Sequence, residues 1–197
     1  MSQKFPQVYL ARHGETEWSL SGQHTGRTDI PLTAKGEDNA RRLGQRLQGL
    51  SFAQVFTSPL VRARRTCELA GFTGTADPDL LEWNYGDYEG AKTADIRKQR
   101  ADWQLFRDGG PNGETAAEVG ARCDRVIAKA RAAAGNVLLF AHGHVLRVLA
   151  ARWVGLPAVE GRRLVLGTAA LCLLGYEHNL EEPVICLWND TSHVGAM

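Results

Sequence analysis

Two apolar runs of the chain end in the same way. "VYLARHGETEW" stops at Arg12, His13 and Gly14, and "NVLLFAHGH" stops at His142, Gly143 and His144. A neutral imidazole is a nucleophile or base near pH 7, a guanidinium offers a fork of donors that fits a phosphate, and glycine bares backbone N–H groups. Arg62 in "SPLVRARRT" supplies a second guanidinium. Arg12, His13, Gly14, Arg62, His142 and Gly143 together suit a phosphate dianion. No metal centre is expected, because His142 and His144 lack a completing carboxylate cluster and two arginines repel a cation. A Walker loop and a GxGxxG fingerprint are both absent, which excludes their triphosphate and dinucleotide cradles.

These groups meet only if the elements carrying them are neighbours. Short apolar runs alternate with amphipathic stretches, the pattern of an α/β three-layer sandwich with a mainly parallel central sheet and helices on both faces. Strands are expected at "QVYLAR", "FAQVFTS" and "NVLLFA". Thr33 caps a helix whose Ala40, Leu43, Leu47 and Leu50 recur at helical spacing. Ser58 and Pro59 read as the cap and first-turn proline of a helix that places Arg62 in its first turns and stops at Gly71. Thr115 and Glu118 form a capping box, and a helix after His142 stops at Gly155 and Pro157. "TAALCLLGYEH" and "PVICLW" read as an antiparallel hairpin at a sheet edge. Residues 77–112 are irregular and aromatic, with a short helix holding Ile96, Trp103 and Phe106; they read as an insertion covering one end of the sheet. Ligands of parallel sheets bind beyond the carboxyl ends of the strands, so His13 and His142 face one ligand.

Composition narrows the partners. The chain has 197 residues, 44% of them hydrophobic, enough for one core, so residues 1–197 read as a single domain. Twenty-three basic against 22 acidic residues leave a formal charge of +1, which argues against nucleic acid or an acidic membrane as partner. No stretch approaches a membrane span, "MSQKFPQ" lacks the apolar core of a signal peptide, and four scattered cysteines fit reduced thiols. A cytoplasmic address is expected. Oligomeric state is not legible.

"RHGETEW", "TGRTDIPLT", "FTSPLVRARRT", "EWNYGDYEG", "NGET" and "LLFAHGH" resemble, in order, the signatures of the histidine phosphatase superfamily, in its branch related to cofactor-dependent phosphoglycerate mutase. The resemblance runs from Val8 to about Leu149. Its wording is similar to that of bacterial broad-specificity acid phosphatases and of sedoheptulose bisphosphatase. It implies a phosphohistidine mechanism without metal or other cofactor: His13 attacks phosphorus, Arg12, Arg62 and His142 hold the equatorial oxygens, and Glu82 is the general acid and then the base. Glu82 must begin protonated, a state that burial in the covering segment favours. Ser19, Thr25, Gly26 and Gly143 are implied phosphate contacts; Trp83 and Tyr85 read either as packing of the insertion or as a substrate wall, and His24 and His144 as structural histidines with contact at the rim as the alternative.

The departures point the same way. By that resemblance the mutases carry Asn where this chain has Ser19, Arg where it has Trp83, and an arginine pair, absent between Tyr88 and Gly113, that grips the carboxylate of phosphoglycerate. Loss of that grip favours hydrolysis of a looser range of small phosphomonoesters. A phosphoglycerate mutase is the alternative, and an inactive phosphate-binding or scaffold protein is the alternative of another class.

Overall fold

The computed structural model describes residues 5–194, so residues 1–4 of "MSQKFPQ" and the last three residues lie outside the described part. In chain order the elements are strand β1 (Val8–Arg12), helices α1 (Glu17–Ser21) and α2 (Ala34–Arg46), strand β2 (Gln54–Thr57), helix α3 (Val61–Leu69), strand β3 (Thr75–Ala76), helices α4 (Thr93–Gln99), α5 (Leu105–Asp108) and α6 (Ala116–Ala132), strand β4 (Val137–Ala141), helix α7 (Gly143–Trp153), and strands β5 (Leu171–Tyr176) and β6 (Pro183–Asp190). The strands form one six-stranded sheet in the order β3-β2-β4-β1-β5-β6. Pairing is parallel from β3 through β2 and β4 to β1, and antiparallel from β1 to β5 to β6. The hairpin expected at an edge is there.

β1 "VYLAR" and β4 "VLLFA" are continuous apolar runs because both of their faces are covered, as buried parallel strands require. Their side chains alternate between two cores. Val8, Leu10, Val137, Leu139 and Ala141 meet α6 and α7 through residues such as Val119, Val126, Val145 and Leu149, while Tyr9, Ala11, Leu138 and Phe140 meet Leu43 of α2 and Cys67 of α3. Helices therefore lie on both faces. Among the described residues, no helix is long and apolar enough to cross a membrane.

Helix starts follow the capping chemistry in two of three cases. Thr33 accepts the N–H of Gly36, and Thr115 and Glu118 cap one another reciprocally. Ser58 does not begin α3; that helix starts at Val61 behind Leu60, with no side-chain cap, because the Ser58 hydroxyl is turned to His142. α2 ends at Arg46, so Leu47 only caps it, and Leu50 lies beyond it, 38% exposed. The single short helix expected around Trp103 is two, α4 and α5, with Trp103 between them.

Candidate active site

β1 and β4 are in register with Arg12 opposite Ala141, so the next residue of each, His13 and His142, emerges side by side at the carboxyl end of the sheet. Their ring centroids are 5.2 Å apart. The His13 N–H donates to the Ala141 carbonyl (3.0 Å), and its own carbonyl accepts the N–H of Ala169 (2.9 Å). The Gly14 N–H donates to the hydroxyl of Thr66 in α3 (3.0 Å), and a Cβ at Gly14 would stand 2.3 Å from the Gly36 carbonyl oxygen of α2. Only glycine allows α2 to pack this closely behind the imidazole.

His13 is 4% exposed, and its Nδ1–H donates to the Gly14 carbonyl (2.7 Å), which leaves Nε2 as a bare lone pair. Burial first, then the charges of Arg12 and Arg62, hold the imidazole well below the usual histidine range. It is neutral and nucleophilic at pH 7. His142 is neutral for similar reasons, burial and then Arg62, but both of its nitrogens are used: Nδ1 accepts from Arg62 Nε (3.1 Å) and Nε2–H donates to Ser58 Oγ (2.7 Å). Arg62, 0% exposed, spends its other contacts on the carbonyls of Thr25, Gly26 and Thr28.

Arg12 donates from Nη1 to the Leu166 carbonyl, while its buried Nε has no partner among the described residues. Leaving a buried donor unmade costs about 1–3 kcal/mol, which an anion beside it would offset. Glu82 faces Arg12 across the site. Its Oε1 accepts the N–H groups of Trp83 (2.9 Å) and Val145 (2.9 Å), and its Oε2 that of His144 (3.0 Å). The carboxylate thereby caps the first turn of α7, whose own N-cap, His142, makes no side-chain cap.

A cavity of ≈ 260 Å³ opens here, lined by Arg12, His13, Ser19, Thr25, Glu82, Tyr85 and Gly143 among others. Arg62 and His142 stand behind this wall. Two expectations are corrected. Trp83 is 0% exposed, donates its indole N–H to the Glu114 carbonyl and packs on Phe106, so it is core and no substrate wall. Gly26 is off the cavity as well: its N–H is taken by Glu89, and a Cβ there would stand 2.6 Å from the Trp83 carbonyl oxygen, so it is glycine for close packing. Ser19 lines the cavity with its hydroxyl engaged in the capping box of α1, and Thr25 with its hydroxyl on the Gln23 carbonyl. The Tyr85 phenol, kept protonated by burial, donates to His144 Nδ1 (2.6 Å). His24 and His144 both line the cavity.

Ser58, Thr93 and Arg147 were not singled out by sequence as site residues. Arg147 follows Gly143 by four residues on α7, a spacing that puts both on one helix face. Its Nε and Nη2 are anchored on the carbonyls of Gly161 and Arg162, its guanidinium lies over Phe106, and Nη1 has no hydrogen-bond partner among the described residues. A larger hollow of ≈ 560 Å³ at the amino ends of the strands is lined by residues such as Phe5, Phe52 and Asn136, with no ionisable side chain among the described residues.

Two buried neutral imidazoles carry a cost in acid. Both have folded pKa values below the unfolded value of about 6.5, so the unfolded chain binds more protons and stability present above that pH is lost as the pH falls. Each contributes up to about 1.4 kcal/mol per pH unit. The urea midpoint is expected to change little from about pH 8 to 7 and to fall from about pH 6.5 to 5; a midpoint flat below about pH 6.5 would contradict neutral His13 and His142.

The sequence model of the histidine phosphatase superfamily (branch 1) matches residues 8–191. An acid phosphatase of Mycobacterium tuberculosis is 41% identical over 180 residues, 89% of each chain. The sedoheptulose 1,7-bisphosphatase of Saccharomyces cerevisiae is 41% identical over 185 residues, 77% of this chain and 68% of that one. A probable phosphoglycerate mutase GpmB of Citrobacter koseri is 33% identical over 96% of this chain and 95% of its own. Among solved structures, that of open reading frame Rv3214 of Mycobacterium tuberculosis superposes with a TM-score of 0.89 at 38% identity, covering 93% of this chain and 97% of that one.

Proposed function

Because the chain belongs to the histidine phosphatase superfamily, branch 1, we propose that it is a phosphomonoesterase that hydrolyses small phosphorylated metabolites through a phosphohistidine intermediate. The observation that carries this reading is the bare Nε2 of a buried neutral His13 beside the unpaired Nε of Arg12. A nucleophile and an anion donor share one buried corner, and the relatives named acid phosphatase and sedoheptulose 1,7-bisphosphatase agree with it.

His13 Nε2 attacks phosphorus, the P–N bond forms, and the ester P–O bond breaks. The leaving alkoxide takes a proton from Glu82, whose carboxyl lies in the cavity lining. Glu82 then accepts a proton from water, whose oxygen attacks phosphorus and releases His13. Arg12 and the N-terminus of α7 neutralise the charge growing on the phosphoryl oxygens. Arg62 fixes the His142 tautomer, so that His142 Nε2–H can pass from Ser58 to a phosphoryl oxygen. The match over residues 8–191 supports one domain, and Glu82, Tyr85 and Thr93 in the cavity lining support 77–112 as its cover. The unpaired thiols fit a cytoplasmic address.

The test is release of inorganic phosphate from a panel of phosphomonoesters with a chelator present throughout, set against transfer between the 2 and 3 positions of phosphoglycerate. Hydrolysis of several esters without transfer is expected. Transfer dominating would assign a mutase, and neither activity an inactive binder.

Arg147 fits a second anionic group on the substrate, since its guanidinium is anchored by two backbone carbonyls with one nitrogen left over. A charged hydrogen bond of this kind contributes about 1.5–3 kcal/mol, roughly 10- to 100-fold in binding. Arg147→Met is expected to raise KM for a sugar bisphosphate by about that factor while leaving p-nitrophenyl phosphate within about twofold. An equal rise for both esters would remove the second-anion role.

A further inference from the structure

Glu82 lies between two short 3-10 turns, Pro78–Leu80 and Gly86–Tyr88, and the backbone on both sides of it is gripped by one largely buried ion pair. From α6, Arg122 sends Nη1 to the carbonyls of Asp79 (2.8 Å) and Leu81 (2.5 Å). Its Nε and Nη2 meet both oxygens of Glu114 (2.9 and 3.1 Å). Glu114 completes the grip from the other side: Oε2 accepts the N–H of Asn84 (2.8 Å), and its main-chain carbonyl accepts the indole N–H of Trp83 (2.8 Å). The residues at 81, 83 and 84 are thus tied to one guanidinium and one glutamate, and the Glu82 side chain between them reaches the opposite way, onto the first turn of α7.

Stability is a weak reason for such a pair. Desolvation of two buried charges consumes most of their attraction, and apolar replacements are often as stable. What a forked guanidinium on a carboxylate supplies, and an apolar contact does not, is direction. Proton transfer to a leaving oxygen is sensitive to displacements of about 1 Å, so direction is what Glu82 needs.

We propose that Arg122 and Glu114 are positioning residues that hold Glu82 at the leaving oxygen, an inference that rests on the phosphomonoesterase reading above. Arg125, three residues along the same helix, supplies a control, because beyond the Ala121 carbonyl of its own helix it holds only the half-buried Asp79 side chain and no backbone next to Glu82.

Two variants test the pair. Arg122→Lys keeps the charge and loses the fork; Glu114→Gln keeps the shape and loses the charge. Single-turnover phosphoryl transfer is measured with glycerol phosphate, which needs an acid, and with p-nitrophenyl phosphate, which needs little. Each variant is expected to lose about 10- to 100-fold on glycerol phosphate and less than about threefold on p-nitrophenyl phosphate, with Arg125→Ala unchanged on both. Equal losses on the two esters, or no loss on either, would overturn the positioning role. If Arg122→Lys does not fold, Glu114→Gln decides by the same comparison, and failure of both to fold assigns the pair to the fold and overturns the proposal. Wild-type protein that hydrolyses neither ester removes the phosphomonoesterase reading itself, a result separate from all of these.

Discussion

His13→Ala is expected to lower turnover by about four orders of magnitude or more, the scale on which loss of a covalent nucleophile acts. The geometry leaves few substitutes. Of the three imidazoles at the two strand ends, His142 has one nitrogen on Arg62 and the other on Ser58, and His144 accepts from Tyr85 at Nδ1, so that its Nε2 carries the proton. Of these three, His13 keeps a bare nitrogen among the described residues and lines the cavity. Arg12 and the N-terminus of α7 do not depend on that ring, so the variant is expected to bind tungstate within about tenfold of wild type. Retained oxyanion binding separates a lost nucleophile from a collapsed site. Acid-quenching the wild type with labelled substrate, followed by peptide mapping, should place the phosphoryl group on His13; label on His142 would require its bonds to Arg62 and Ser58 to break and would overturn the assignment.

The parts of this site that were legible in the sequence are those where local chemistry and fold agree. Arg12, His13 and His142 stand at the ends of doubly buried strands, and such strands announce themselves as unbroken apolar runs. β3, two exposed residues long, leaves no such mark. Ser58 carried a signal with two meanings, since Ser-Pro before an apolar stretch reads as a helix cap, and only the crossing of β4 beside β2 shows the hydroxyl serving His142 instead. Trp83 was misplaced for a geometric reason. Its neighbour Glu82 faces the cavity, while its own indole turns the other way, to the Glu114 carbonyl and Phe106, and nothing in the local sequence distinguishes the two directions. The anchoring of Arg147 was out of reach because the carbonyls of Gly161 and Arg162 that hold it lie in a turn after α7 with no sequence mark of that role.

Glu82→Gln is expected to cost about 10²- to 10⁴-fold in phosphoryl transfer from an alkyl phosphate, the span of general acid catalysis, and little from p-nitrophenyl phosphate, whose phenolate leaves without a proton. The substitution keeps the volume and one acceptor oxygen, where at present Oε1 accepts the N–H of Val145 and Oε2 that of His144 in the first turn of α7. An amide can satisfy the Oε1 position but sets an NH₂ against one remaining donor, a loss of about 1 kcal/mol in capping, too small to unfold the chain. Single-turnover rates decide the matter, because they isolate attack by His13 from the later hydrolysis of phosphohistidine, where the same carboxylate acts as base and both esters must suffer alike. A steady-state comparison would blur the two steps. Equal single-turnover losses on both esters would mean that Glu82 serves binding or the capping of α7. The acid would then be sought among the groups that line the cavity, Tyr85 and His144, and not at Asp87 or Glu89, since Asp87 holds Asn112 and Glu89 holds the N–H groups of Gly26 and Thr28.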